Sequence, residues 1–566
     1  MNGRIRSCLV VWMILAAAPG CDASGDGGAE TDVVAEGTAD DGGDVEAADD
    51  LADHDGAEGG EEEAVACSDG DGDGRGAGCA AGDDCDDADP DVWTACAACA
   101  DADGDSYFAG CDAYVRRLGP DCDDGQATCT ADCADTDGDT TPDCLRATWL
   151  VTLGDLPLES AVAVVEVSGG GMIVVGTGVW ADLGLGPLWA AKLDGRGAAV
   201  WTKALQDETG ASFWPEQIVD SGSGHLVVVG SSAAVGGASD VRLLALRPDG
   251  GVAWARNYEG PDREHGLAVA KAADGDLLVA GVVIAGTRRQ RDAFAMRLGD
   301  DGTVRWQKRL GGEDTAEGFA GVFAAPGGDV VAVGNSQSRA VAGDAWTVRF
   351  DGSTGTIVSQ RAYGRLSGSQ SAAEGFLASD GDLVLGGMAA GASTTEDFWV
   401  ARIDPAGAVR WSRTIPCPGE EFLYGLAEGP GGTIVGVGFA AAGTDAGMWA
   451  VGFSGAGELL WQQVMRGAGD SAYDVFRASR DGLVVVGSSA SLATAGPADA
   501  FVARLSATGR LAGSCTRLGP VELPAEDHAI GGEDVTIPSV DAGLVPRDCT
   551  VSMVDVAWPV RTVCPE

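Results

Sequence analysis

Between Cys67 and Cys144 the chain three times sets aspartates at alternate positions behind a cysteine. Asp69, Asp71 and Asp73 follow Cys67; Asp101, Asp103 and Asp105 follow Cys99; Asp135, Asp137 and Asp139 follow Cys133. Alternate carboxylates in a tight, glycine-containing loop turn their oxygens onto one point, and a hard cation offsets their mutual repulsion. Further clusters carry the same donors: Asp84, Asp86, Asp87 and Asp89 around Cys85; Asp121, Asp123 and Asp124 around Cys122; and Asp143 before Cys144. An acidic low-complexity tail would not keep register with a cysteine in three copies. The region has no His and no Met. If its cysteines are paired, only oxygen donors remain, which is calcium chemistry rather than copper chemistry.

This stretch resembles the calcium loops of thrombospondin type 3 repeats, and more closely the metal-binding motif of MopE-type copper-binding surface proteins. The element Asp84-Cys85-Asp86-Asp87-Ala88-Asp89-Pro90 is complete only in the first unit; the second is truncated and the third a remnant. The MopE resemblance keeps copper as the alternative metal. It also puts Trp93 near a position where that family is thought to use a modified tryptophan, against an ordinary packing role. Ten of the sixteen cysteines lie between Cys67 and Cys144. In an acidic module with little apolar residue to form a core, they read as disulfides, with zinc at Cys96 and Cys99 as the competing reading.

Residues 1–21 have a basic start at Arg4 and Arg6, an apolar stretch from Cys8 to Ala18, then small residues. This is a secretory signal, too short to span a membrane. Its end, Ala18-Pro19-Gly20-Cys21, resembles a bacterial lipobox, which implies lipidation of Cys21; Leu is missing from the start of the box and Pro19 is unusual in it, and ordinary cleavage nearby or an uncleaved anchor is the alternative. Asp22 after such a cysteine marks inner-membrane retention in some bacteria. Residues 22–66 hold seventeen Asp and Glu and no Lys, Arg or aromatic, so they cannot bury enough apolar surface to fold. A disordered, self-repelling linker is expected. The formal net charge of −51 disfavours nucleic acid and anionic membrane surfaces as partners.

From residue 148 the chain becomes periodic. Seven short apolar runs end in Gly176, Gly230, Gly281, Gly334, Gly387, Gly438 and Gly487, about 52 residues apart, which marks a repeat architecture. One unit, His265 to Gly312, reads as four strands, A to D, with Asp/Gly turns between A and B and between C and D. Strand D carries a recurring tryptophan: Trp149, Trp201, Trp254, Trp306, Trp411 and Trp461, with Ser359 in the slot of the fourth unit and Gly513 after the seventh. Four antiparallel strands per unit make a propeller blade, and blades must stack to bury both sheet faces. Strand D occurs eight times and strand B seven. The surplus copy, Trp149 to Gly154, precedes any strand A and is expected to complete the last blade and close the ring.

Segments such as Asp397-Phe-Trp-Val-Ala-Arg-Ile-Asp-Pro-Ala-Gly-Ala-Val-Arg-Trp411 resemble the bacterial seven-bladed β-propeller repeat, which implies fold and no particular function. Asp301-Gly302-Thr303-Val304-Arg305-Trp306 also resembles the tryptophan-docking motif of quinoprotein propellers; packing of Trp306 between blades is the simpler reading.

The expected architecture is all-β: a seven-bladed propeller over 148–515, after a leader (1–21), a linker (22–66) and a Cys/Asp-rich metal-binding region (67–147). A Cys-containing extension follows (516–566), read as a small cap stapled by disulfides. The B-to-C loops, Thr177 to Pro187 in the first unit, are the longest and most variable, so binding is expected on their face; Arg288, Arg289 and Arg291 form their one charged cluster. No nucleophile elbow, metal-ligand helix or phosphate loop surrounds His54, His225, His265 or His528. The function expected is that of a non-enzymatic envelope lipoprotein at the outer membrane or cell surface, binding a protein or polysaccharide. An exported quinoprotein-like or glycan-cleaving enzyme is the alternative.

Overall fold

The computed structural model describes residues 148–511 apart from short loop segments, the strands between 518 and 564, and scattered positions between 68 and 113. The described residues fall into two compact units, one from 148 onward and one between 68 and 113.

The larger unit is a seven-bladed propeller. Blade 3 shows the plan: strand A is Arg263–Lys271, B is Leu277–Ala285, C is Gln290–Leu298 and D is Val304–Leu310, each antiparallel to the next. The other A strands are Glu159–Val167, Ser212–Asp220, Glu317–Ala324, Gln370–Leu377, Glu421–Glu428 and Ser471–Arg477. Each touches the next in cyclic order, blade 7 back to blade 1, so the A strands bound the axial channel. Buried apolar side chains fall into seven clusters among the described residues, each shared by two neighbouring blades. That is why strands such as Leu226–Ala233 are buried on both faces.

The glycine that ends each B run has a steric cause. Strand A bulges opposite it, skipping one residue in the pairing, as between Gly266 and Ala268. A Cβ on Gly281 would lie 2.0 Å from the His265 carbonyl oxygen, and one on Gly334 2.0 Å from that of Gly318. On the other side an aromatic of strand C covers the glycine: Trp189 faces Gly176, Phe294 faces Gly281, and Trp449 faces Gly438.

Closure follows the surplus strand. Trp149–Leu153 pairs with Asp499–Leu505 as strand D of blade 7, Trp149 opposite Arg504. The strand D tryptophans then latch blade to blade. The indole N–H donates to a backbone carbonyl in the next blade's C–D turn: Trp149 to Gly195 at 2.9 Å, Trp201 to Pro248 at 3.3 Å, Trp306 to Gly352 at 2.8 Å, Trp411 to Gly455 at 3.0 Å. In blade 4, where Ser359 replaces the tryptophan, Arg361 and Tyr363 make the link, to the carbonyls of Ala406 and Gly407.

The C-terminal extension differs from the expected cap. It is a belt that runs round the ring in reverse blade order and adds a fifth strand to every blade. Leu518–Pro520 joins blade 6, Glu526–Asp527 blade 5, Gly531–Asp534 blade 4, Ser539–Val540 blade 3, Val545–Asp548 blade 2, Val551–Asp555 blade 1 and Val560–Cys564 blade 7. Its short apolar pieces are too sparse for a core of their own, and the unpaired edges of the D strands supply the backbone partners instead. Side-chain ties add to the pairing: Gln307 holds both backbone polar groups of Leu544 (3.0 and 3.2 Å), and Arg547 meets Glu259 at 2.7 Å. Cys549 is a free thiol, so this part of the extension is held by strand pairing and not by a staple. The loop expected over Thr177 to Pro187 is likewise shorter than supposed, because strands B and C of blade 1 extend to Trp180 and from Gly184 as a long hairpin.

In the smaller unit a disulfide joins Cys99 to Cys111, and Cys79 and Cys85 are also disulfide-bonded.

Candidate functional site

The bulge in strand A decides what the axial channel presents. The bulged residue lies fourteen positions before the B-strand glycine in every unit: Val162, Glu216, Leu267, Ala320, Ala373, Tyr424 and Tyr473. The next residue is Ala163, Gln217, Ala268, Gly321, Glu374, Gly425 or Asp474. Blades 5 to 7 thus set half-buried Tyr424 and Tyr473 on neighbouring innermost strands, with half-buried Glu374 and Asp474 at the following position, where Ala163 and Ala268 pack between blades.

These groups are held firmly. Tyr424 and Tyr473 meet edge to face, with centroids 5.7 Å apart and planes at 60°. Phe422 stacks behind Tyr424 at 6.1 Å, and the Tyr473 hydroxyl lies 3.1 Å from Ser488 Oγ. Asp474 Oδ2 accepts the Val164 N–H at 3.1 Å, and Glu374 Oε1 accepts that of Gly375 at 3.0 Å. Glycine makes the room for Asp474: a Cβ on Gly425 would stand 3.0 Å from the Asp474 Cα.

Enclosure by blade interiors sets the electrostatics, although each carboxyl keeps part of its surface open to the channel. Loss of hydration pushes Glu374 up to about 8, and the charge of Asp474 adds to this against the opposing Gly375 N–H. Asp474 is raised to about 7 for the same first reason, opposed by the Val164 and Val475 N–H groups. Glu216, across the ring in blade 2, is raised to about 8 by loss of hydration. At neutral pH Glu374 is thus mostly protonated and Asp474 about half so, and the protonated form of either can donate as well as accept hydrogen bonds.

A second polar group spans blades 2 and 3. His265 Nδ1 lies 3.1 Å from Ser231 Oγ and Nε2 3.1 Å from Ser239 Oγ. Burial, then Arg263 and Arg291, push the imidazole down to about 4, so it is neutral and weakly basic. Ser231 and Ser239 are themselves buried. The arrangement ties two blades together and makes a poor general base.

The residues proposed from sequence divide as follows. Asp69, Asp71, Asp84, Asp86 and Asp89 lie in described loops, where Asp84 Oδ1 accepts the Asp86 N–H at 2.8 Å and Asp89 Oδ1 that of Asp91 at 3.2 Å. Among the described residues no three carboxylate, imidazole or thiol groups converge on one point. Asp73, Asp87, Asp101, Asp103, Asp105, Asp121, Asp123, Asp124, Asp135, Asp137, Asp139 and Asp143 lie outside the described residues, as do Cys21, Arg288 and Arg289 and most of the B-to-C loop tips. The Arg75 guanidinium caps the Trp93 ring at 4.4 Å, and the Trp93 N–H donates to Asp112. Arg291 is a buried strand residue whose N–H reaches Thr315.

Sequence reading missed the axial group. Its signal was the fourteen-residue offset from the glycine, which exposes Tyr and Glu where other units carry Val, Ala or Leu.

No family model matches the chain, and neither does any curated protein. Among solved structures, the quinohemoprotein alcohol dehydrogenase from Comamonas testosteroni is 11% identical with a TM-score of 0.37, over 65% of this chain and 78% of that one. The α-L-arabinofuranosidase Arb93A from Fusarium graminearum is 11% identical with a TM-score of 0.35, over 63% and 98%. The gluconolactonase XC5397 from Xanthomonas campestris is 16% identical with a TM-score of 0.29, over 54% and 90%. At these levels of similarity none of their activities transfers to this chain.

Proposed function

We propose that the chain is an exported envelope protein, anchored through a lipid on Cys21, whose calcium-bound stalk presents the propeller for binding a protein or polysaccharide. What supports this reading is the belt. With a fifth strand on every blade, much of the outer edge is covered, and the loop faces and axial channel become the places where recognition can sit. The test is affinity capture from the native cell surface with the full exported chain. Retention of one specific partner is expected; a bead profile identical to that of an unrelated acidic protein would sink the idea.

The anchor and the stalk have separate tests. Cys21→Ser should abolish incorporation of labelled palmitate. Calcium should protect 67–147 from proteolysis, and copper should not. Zinc or copper protecting in its place would overturn the calcium assignment.

A second reading, an exported propeller enzyme, draws on the paired carboxyls Glu374 and Asp474, whose raised protonation suits general acid chemistry on a glycan. Release of reducing ends from a polysaccharide, lost in Glu374→Gln, would favour it over simple binding.

A further inference from the structure

We propose that the axial sector of blades 5 to 7 binds a neutral sugar ring, with Tyr424 and Tyr473 against its apolar face and Glu374 and Asp474 on its hydroxyls. This rests on the binding reading above and names the class of ligand.

Ring closure does not ask for the two tyrosines, although Asp474 also ties blade 7 to blade 1 through the Val164 N–H. At the bulge, five of the seven units close without an aromatic, on Val162, Glu216, Leu267, Ala320 and Ala373. Two aromatic rings at 60° form an angled platform, fixed from behind by Phe422 and at the edge by Ser488. A pyranose presents C–H groups on its faces and hydroxyls at its rim, so it pairs a ring surface with hydrogen-bonding groups at the edge. On blades 4 and 6 Ala320, Gly321 and Gly425 put no side chain beyond a Cβ beside these groups.

Other ligand classes fit less well. Among the described residues no third acidic, imidazole or thiol group joins Glu374 and Asp474 to build a cation cage. An anion would meet two carboxyls in a chain of net charge −51. An apolar ligand would leave the second oxygen of each carboxyl to be desolvated without a partner from the ligand.

The experiment titrates the full exported chain with cellobiose, maltose, galactobiose and N,N′-diacetylchitobiose, reading heat and tyrosine difference absorption. Glucuronate and calcium chloride serve as anionic and cationic probes. At least one disaccharide should bind, and Tyr424→Leu and Tyr473→Leu should each weaken it about tenfold, the loss of roughly one stacking contact. Leu267→Ala on the opposite wall should leave the affinity unchanged. If the leucine variants lose cooperative melting, Glu374→Gln and Tyr473→Phe carry the test, with a severalfold loss expected from the first.

Binding of none of the four sugars to folded protein would overturn the inference, as would equal binding to wild type and to the tyrosine variants, or displacement of the sugar by calcium. A partner captured as strongly by the tyrosine variants, with no sugar bound, would sink this inference and leave the binding reading standing. Cleavage of a bound sugar would do the reverse, keeping the site and ending the non-enzymatic reading.

Discussion

The indole N–H of Trp149 donates to the carbonyl of Gly195 at 2.9 Å, and the same ring lies against the α-carbon of Gly197, where a Cβ would approach to 2.8 Å. One side chain thus seals the ring between its last blade and its first. Trp149 is fully buried, whereas Trp201 in the equivalent slot of blade 1 is only half-buried.

Trp149→Ala should therefore cost about 3–5 kcal/mol, the usual loss for a buried indole, and Trp201→Ala markedly less. Denaturant titration of both variants checks this. Equal losses would mean that closure gives Trp149 no special weight.

Gly281→Ala forces a Cβ to within 2.0 Å of the His265 carbonyl oxygen, and that oxygen belongs to backbone that cannot rotate away. Destabilisation of about 3 kcal/mol or more is expected. Gly275→Ala, at a turn with φ +92° and open space around it, should cost about 1 kcal/mol through backbone strain alone. Parallel thermal melts of the two variants distinguish the causes.

The raised carboxyls set a pH trend whose sign is fixed. Between its ordinary value of 4.5 and about 8, Glu374 stays protonated in the fold while the unfolded chain has released the proton. Its contribution is therefore fully present below pH 4.5 and falls as pH rises through that window. Asp474 acts in the same direction between 3.8 and about 7. His265 opposes them, losing stability as pH falls from 6.5 towards 4. Glu374→Gln should flatten the decline between pH 5 and 8 by on the order of 2 kcal/mol. An unchanged slope in urea melts across that range would show that the carboxyl is solvated.

Ending the chain after residue 558 removes Val560–Cys564 and turns Trp149–Leu153 from an inner strand into an edge. Hydrogen exchange at Leu150 to Leu153 should accelerate by at least tenfold, and light scattering should report association through the bared edge. Exchange unchanged there would mean the last belt strand adds nothing to closure.

The sequence by itself settled what depends on local chemistry and regular spacing. The glycines at intervals of about 52 residues, the Asp/Gly turns and the surplus tryptophan strand are short-range signals, so blade number and the mode of closure could be read directly. Two features needed the tertiary structure. The belt pairs Val551–Asp555 with Ala199–Asp207 through backbone groups, which carry no side-chain signature, across more than three hundred residues of chain. The axial site joins Glu374, Tyr424 and Asp474 from three blades, each an unremarked strand residue in its own repeat. They become one site because ring closure brings the seven bulges around a single axis, where burial then raises the carboxyls.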